Sequence, residues 1–102
     1  MTKQPSRTIV TQTDQILITD LSKLLYMRGS VAQTLTGPIV DGNMGATPGF
    51  TVDVYNAGPE TLTIVPRAGQ TVQGGADLTV ASRKGVRLTL APGGEDWIVF
   101  GA

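Results

Sequence analysis

The sequence has no cysteine and no histidine among its 102 residues. Without cysteine there is no disulfide, no thiolate nucleophile and no thiolate-held metal. Without histidine the commonest acid–base group near neutral pH, and the commonest metal ligand, are missing. Charge is scarce as well: Asp, Glu, Lys and Arg make up 16% of the chain, against an ordinary share of about 25%. Eight basic and eight acidic residues cancel, so no net field draws the chain to nucleic acid or to anionic lipid. No run approaches the roughly 20 apolar residues of a membrane span. The opening Met1-Thr2-Lys3-Gln4-Pro5-Ser6-Arg7 leads into no apolar stretch, so a secretory signal is not expected and synthesis in a cytoplasm is. Strong helix formers are few, with Glu only at 60 and 95 and Lys only at 3, 23 and 84.

What is present is the composition of a β protein: 13 Gly, 6 Pro and many Thr and Val. Period-2 alternation marks the strands. In Gly49–Tyr55 the residues Phe50, Val52 and Val54 point one way, and Thr51, Asp53 and Tyr55 the other. Leu62 and Ile64 share a face in Thr61–Val65, and Leu78 and Val80 do so in Asp77–Ala81. Gly85–Leu90 sends Val86, Leu88 and Leu90 inward and Arg87 and Thr89 outward, and Asp96–Phe100 closes the series. Arg7–Thr11 and Gln15–Thr19 read as two further strands, and Ser30–Thr36 as a weaker one. The connectors are turn chemistry, such as Asn56-Ala57-Gly58-Pro59-Glu60 and Ala91-Pro92-Gly93-Gly94-Glu95. Strands every 8–12 residues between short turns predict an antiparallel sandwich or barrel, jelly-roll-like in outline. Asp20–Tyr26 fits either one or two helical turns or an irregular strand. Gly37–Gly49 reads as a long loop. No internal repeat stands out. Residues 1–8 form an expected extended or flexible arm, and residues 9–102 one β domain.

Catalytic patterns are sparse. None of Ser6, Ser22, Ser30 and Ser82 sits in Gly-x-Ser-x-Gly or Ser-x-x-Lys. The carboxylates mostly flank turns, where they are solvated or cap the bend; Asp53 is mid-strand but outward. Asp41-Gly42-Asn43 begins like a calcium loop but lacks the rest, and Gly69–Gly75 lacks the Lys-Ser/Thr of a phosphate loop. Arg83, Lys84 and Arg87 make a basic cluster with no interleaved aromatics, which argues against nucleic acid and for contact with an acidic protein surface. Trp97 reads as a large apolar anchor at the core edge, with a subunit contact as the alternative.

Several segments together are similar to a known module. They are Thr13–Asp20, Gly49–Gly58, Thr61–Pro66, Gly69–Gly75, Leu88–Gly94 and Asp96–Val99. They resemble a small β module of tailed-phage virion proteins, found in fibres, tail appendages and capsid decoration proteins. Its signature is an alternating strand ending in an Asn/Gly turn, a Thr-x-Thr-Ile-x-Pro strand, a Gly-x-Thr-apolar-x-Gly turn and a closing Trp strand. The likeness covers about residues 9–101; Leu35-Thr36-Gly37-Pro38 departs from it, being followed by an extra Gly-rich loop. The resemblance implies a non-enzymatic virion protein without cofactor, metal or small-molecule substrate. It implies a homotrimer, and its stand-alone size favours a capsid decoration (cement) protein on the outer head surface over a tail fibre. The expected partners are further copies of the chain and the major capsid protein. The expected capsid-binding arm is Thr2, Lys3, Gln4, Pro5, Ser6, Arg7 and Thr8, and the expected interface is Tyr26, Tyr55, Arg83, Lys84 and Arg87. The alternative is a head-fibre, tail-fibre or baseplate component, or an adhesin that binds host glycan.

Overall fold

Alternation of apolar and polar residues places the strands of a computed structural model, which describes residues 4–38 and 46–101. The elements are β1 (Ser6–Ile9), β2 (Thr13–Gln15), β3 (Leu24–Met27), β4 (Thr34–Thr36), β5 (Thr51–Asn56), β6 (Leu62–Val65), β7 (Thr71–Val72), β8 (Leu78–Val80), β9 (Gly85–Leu90) and β10 (Asp96–Gly101). Among the described residues there is no α-helix, and no helix is long and apolar enough to cross a membrane. The protein is all-β, in two sheets. One has the order β1-β3-β5-β9-β10-β7 and the other β2-β4-β6-β8.

The pairing differs from the expected antiparallel sandwich. β1, β3 and β5 run parallel to one another, as do β2, β4 and β6, and β7 runs parallel to β10. The strand pairs β5–β9, β9–β10 and β6–β8 are antiparallel. The physical reason lies in the turns. The bend after β1, Val10–Gln12, does not fold the chain back beside β1; it carries it to the other sheet, as do the bends after β3 and β5. Each pair β1-β2, β3-β4 and β5-β6 therefore lays one strand in each sheet, and the next pair stacks on it in solenoid-like fashion. Turn composition reports a change of direction but not which sheet receives the next strand.

The inner faces of the two sheets make the core. Leu25, Met27, Val52, Val54, Val86, Leu88 and Leu90 come from the first sheet, and Leu35, Leu62, Ile64 and Val80 from the second. Trp97 is buried and meets Phe50 edge-on, ring centroids 6.0 Å apart, so it is a core anchor. Two buried amides secure the bends. Gln33 donates from Nε2 to the Ile9 and Thr11 carbonyls and accepts the Gly29 N–H. Asn56 donates from Nδ2 to the Glu60 and Val80 carbonyls and accepts the Gly58 N–H. With every side-chain polar atom paired, these amides escape the cost of about 1–3 kcal/mol for a buried unsatisfied group.

Three expectations need local correction. Gln15–Thr19 is not one strand. The chain leaves the sheet after Gln15 and makes a 3₁₀ turn at Ile18–Asp20, because the buried Asp20 carboxylate accepts the Leu17 N–H at 2.8 Å. The irregular segment resolves into that turn and strand β3. The arm is in part a strand. Ser6, Arg7 and Thr8 lie in β1, aligned with Leu24, Leu25 and Tyr26, while Gln4 and Pro5 lead into it exposed. Arg7 anchors it, donating from Nε and Nη2 to Asp20. Thr2 and Lys3 lie outside the described residues. So does most of the long loop; Ala46, at its end, is buried.

Candidate docking face

Strand register aligns the outward side chains of the first sheet in rows across it. One row runs Thr8–Tyr26–Tyr55–Gly85. The next runs Ser6–Leu24–Asp53–Arg87–Phe100, and a third Thr51–Thr89–Ile98. Tyr26 and Tyr55 stack with centroids 5.8 Å apart. Tyr55 leans over Gly85: a Cβ there would stand 3.2 Å from its ring. Glycine in this strand therefore serves a close approach.

An ion pair occupies the middle of the face. Arg87 donates from Nε to Asp53 Oδ1 at 2.7 Å and from Nη2 to Oδ2 at 3.1 Å. Gln4 donates from Nε2 to Asp53 Oδ2 at 2.8 Å and to the Ser22 carbonyl at 3.1 Å. These bonds favour the charged carboxylate, so Asp53 titrates below the usual range, first through the Arg87 hydrogen bond and next through Gln4. Asp53 in turn raises the pKa of Arg87. The pair separates two depressions. On one side Leu24, Tyr55, Gly85 and Phe100 line a shallow hollow of about 390 Å³. On the other Gln4, Ser22 and Thr51 line a smaller polar one of about 240 Å³. Phe100 is 55% exposed.

The structure brings Tyr26, Tyr55 and Arg87 onto this one face. Arg83 and Lys84 sit at its end, in the exposed turn before β9; Arg83 has φ 66° and its N–H meets the Asn56 carbonyl at 2.7 Å. Of the arm residues, Gln4 reaches the face, Ser6 and Thr8 lie on β1 exposed, and Arg7 turns inward to Asp20. Leu24, Asp53, Gly85 and Phe100 were not among the sequence-predicted site residues. Alternation already placed Asp53 outward, but its pairing with Arg87 needs the β5–β9 register, which no local pattern contains.

The other sheet shows a different surface. Thr13, Thr34, Thr63 and Thr79 form one row across its outer side, and Gln15, Thr36 and Val65 another. Its edge strand β2 and the edge strand β1 of the first sheet belong to the same turn of the stack. Among the described residues, no three carboxylate or other ligating side chains group to hold a metal ion. Asp96 is held by the Thr71 hydroxyl at 2.6 Å and the Gly74 N–H at 2.9 Å, which lower its pKa. Neither protein-family models nor curated protein sequences give a match to this chain.

Proposed function

We propose that the chain is a phage virion structural protein, a capsid decoration protein that binds the outer head surface as a homotrimer and stabilises the shell. The module resemblance supplies the class. The observation that carries the docking mode is the open first turn of the stack, where β1 and β2 each present an edge that no strand among the described residues pairs. An exposed edge adds a strand of a partner through main-chain hydrogen bonds, with no pocket needed. In β1 the Pro5 and Ile9 carbonyls turn toward β3 and its continuation, accepting from Leu24 and Arg28. Alternation then points the backbone groups of Ser6 and Thr8 at the open side. Several edges in one trimer add avidity without new contacts.

Thr8→Pro tests this mode, since it removes one outward N–H and leaves the β1–β3 ladder intact. Co-sedimentation with heads of the source phage is expected to show wild-type binding and at least a tenfold loss for T8P. Equal binding by a folded T8P overturns edge docking. Sedimentation of the free protein at the 10.7 kDa of one chain, rather than three times that mass, overturns the trimer. Labelling found on tails rather than heads would move the protein to the fibre or baseplate reading.

A further inference from the structure

The hollow beside the Asp53–Arg87 pair has the parts of a small-molecule site. The row Thr8–Tyr26–Tyr55 ends at Gly85, and Gly85 and Tyr55 both line the hollow. Phe100, opposite Arg87 on β10, borders the hollow from the far side. The depression thus has an aromatic ring on each of two sides and a glycine in its lining.

Its polar side is the ion pair, and spare hydrogen-bonding capacity there sets the ligand class. Arg87 has five N–H donors and commits Nε and Nη2 to Asp53, which leaves the Nη1 donors unengaged by Asp53. Asp53 Oδ1 accepts from Arg87, while Oδ2 accepts from both Arg87 and Gln4, short of the about four lone-pair sites of a carboxylate. The two charges cancel, so the site favours neither an anion nor a cation. A ligand with a C–H face for the aromatic rings, and hydroxyls that both donate and accept, matches this set. The polar hollow across the pair continues it with the Gln4 amide and the Ser22 and Thr51 residues.

From this we infer that the hollow between Tyr55 and Phe100 binds one ring of a neutral saccharide, its hydroxyls on the Asp53–Arg87 pair. The site does not depend on attachment to a shell; its failure leaves the edge-docking reading standing, and the reverse holds.

The test is amide-shift and saturation-transfer NMR on the full chain. D-glucose, D-galactose, D-mannose and N-acetyl-D-glucosamine are the probes, and N-acetylneuraminic acid is the charged comparison. At least one neutral sugar is expected to shift the amides of Gly85, Arg87 and Phe100 and to receive saturation through its ring C–H groups. Phe100→Ala removes an exposed side chain, so the variant keeps its fold, and it is expected to raise Kd about tenfold, a loss of about 1.4 kcal/mol. Glu60→Gln, exposed and outside the lining of the hollow, is expected to leave Kd unchanged. No shift at these amides with any of the four sugars overturns the proposal. So does unaltered affinity in F100A, or binding of the acidic sugar alone. Shifts at this face that grow with protein concentration and resist sugar would give it to a second copy of the chain.

Discussion

Asp53 shows how one side chain combines stability and surface chemistry. Its carboxyl is held below the ordinary range by the Arg87 hydrogen bond, with Gln4 adding to it. In the unfolded chain the carboxyl regains a pKa of about 3.9. The pair therefore contributes stability that is fully present above that value and is lost as pH falls through the lower folded pKa. Arg87 is 58% exposed, so solvent screening keeps the contribution small. Thermal melts between pH 7 and pH 2 are expected to show a steeper fall in Tm below about pH 4 for the wild type than for Asp53→Asn. Parallel curves would refute the linkage. Asp96 titrates low for a similar reason, through Thr71 and Gly74, so part of the acid sensitivity is expected to survive in the variant. Asp53 and Arg87 were legible as outward residues from alternation alone. Their partnership was not, because they are far apart in sequence and only the β5–β9 register joins them.

At the scale of elements, the strands were the most legible part of the chain. Gly85–Leu90 matches β9 end to end, since its alternation is unbroken and a turn bounds each side. β7 was missed: two residues between Gly69 and Gly75 cannot show a period. It forms because its edge finds β10 at Thr71↔Asp96 and Val72↔Trp97, a tertiary event. β1 was read in part as an arm because Pro5, Ser6 and Arg7 look polar and unstructured. Arg7 instead belongs to the inner side, where the buried Asp20 receives it. The threonine row of the second sheet is an element property too. Thr63 lies between Thr34 and Thr79, so its β-branched side chain packs against neighbours on both sides. Thr63→Ala is expected to lower stability by about 0.5–1 kcal/mol, measured by urea denaturation with an unchanged m-value. The same substitution at Thr13, which among the described residues has a row neighbour on one side, is expected to cost less. Equal costs would show that the row is not a packed ladder.

For the whole molecule, the stacking order has kinetic consequences. Strand β1 pairs with β3, and β3 in turn with β5, each across an intervening strand of the other sheet. Such pairings close long loops before they gain contacts. The radius of gyration of 12.7 Å is that of a compact chain of this length, about 13 Å, so the loops are closed tightly. Refolding measured by stopped-flow Trp97 fluorescence is expected on the millisecond-to-second scale of non-local β folds. A microsecond relaxation would contradict parallel stacking as the limiting step.

The sequence by itself determined that this is an all-β chain, which strand residues alternate inward and outward, and where β5, β6, β8, β9 and β10 lie to within two residues. These are local matters, set by period-2 alternation, scarce helix formers and turn residues within a few positions of one another. Only the tertiary structure decided that successive turns stack in parallel and that the arm joins a sheet. It alone placed Tyr55, Asp53, Arg87 and Phe100 around one hollow. The stacked strands recur at unequal intervals: Ser6, Leu24 and Asp53 align in one sheet, and Thr13, Thr34 and Thr63 in the other. Connectors of unequal length erase the sequence period, while hydrogen bonding between neighbouring strands restores it in space.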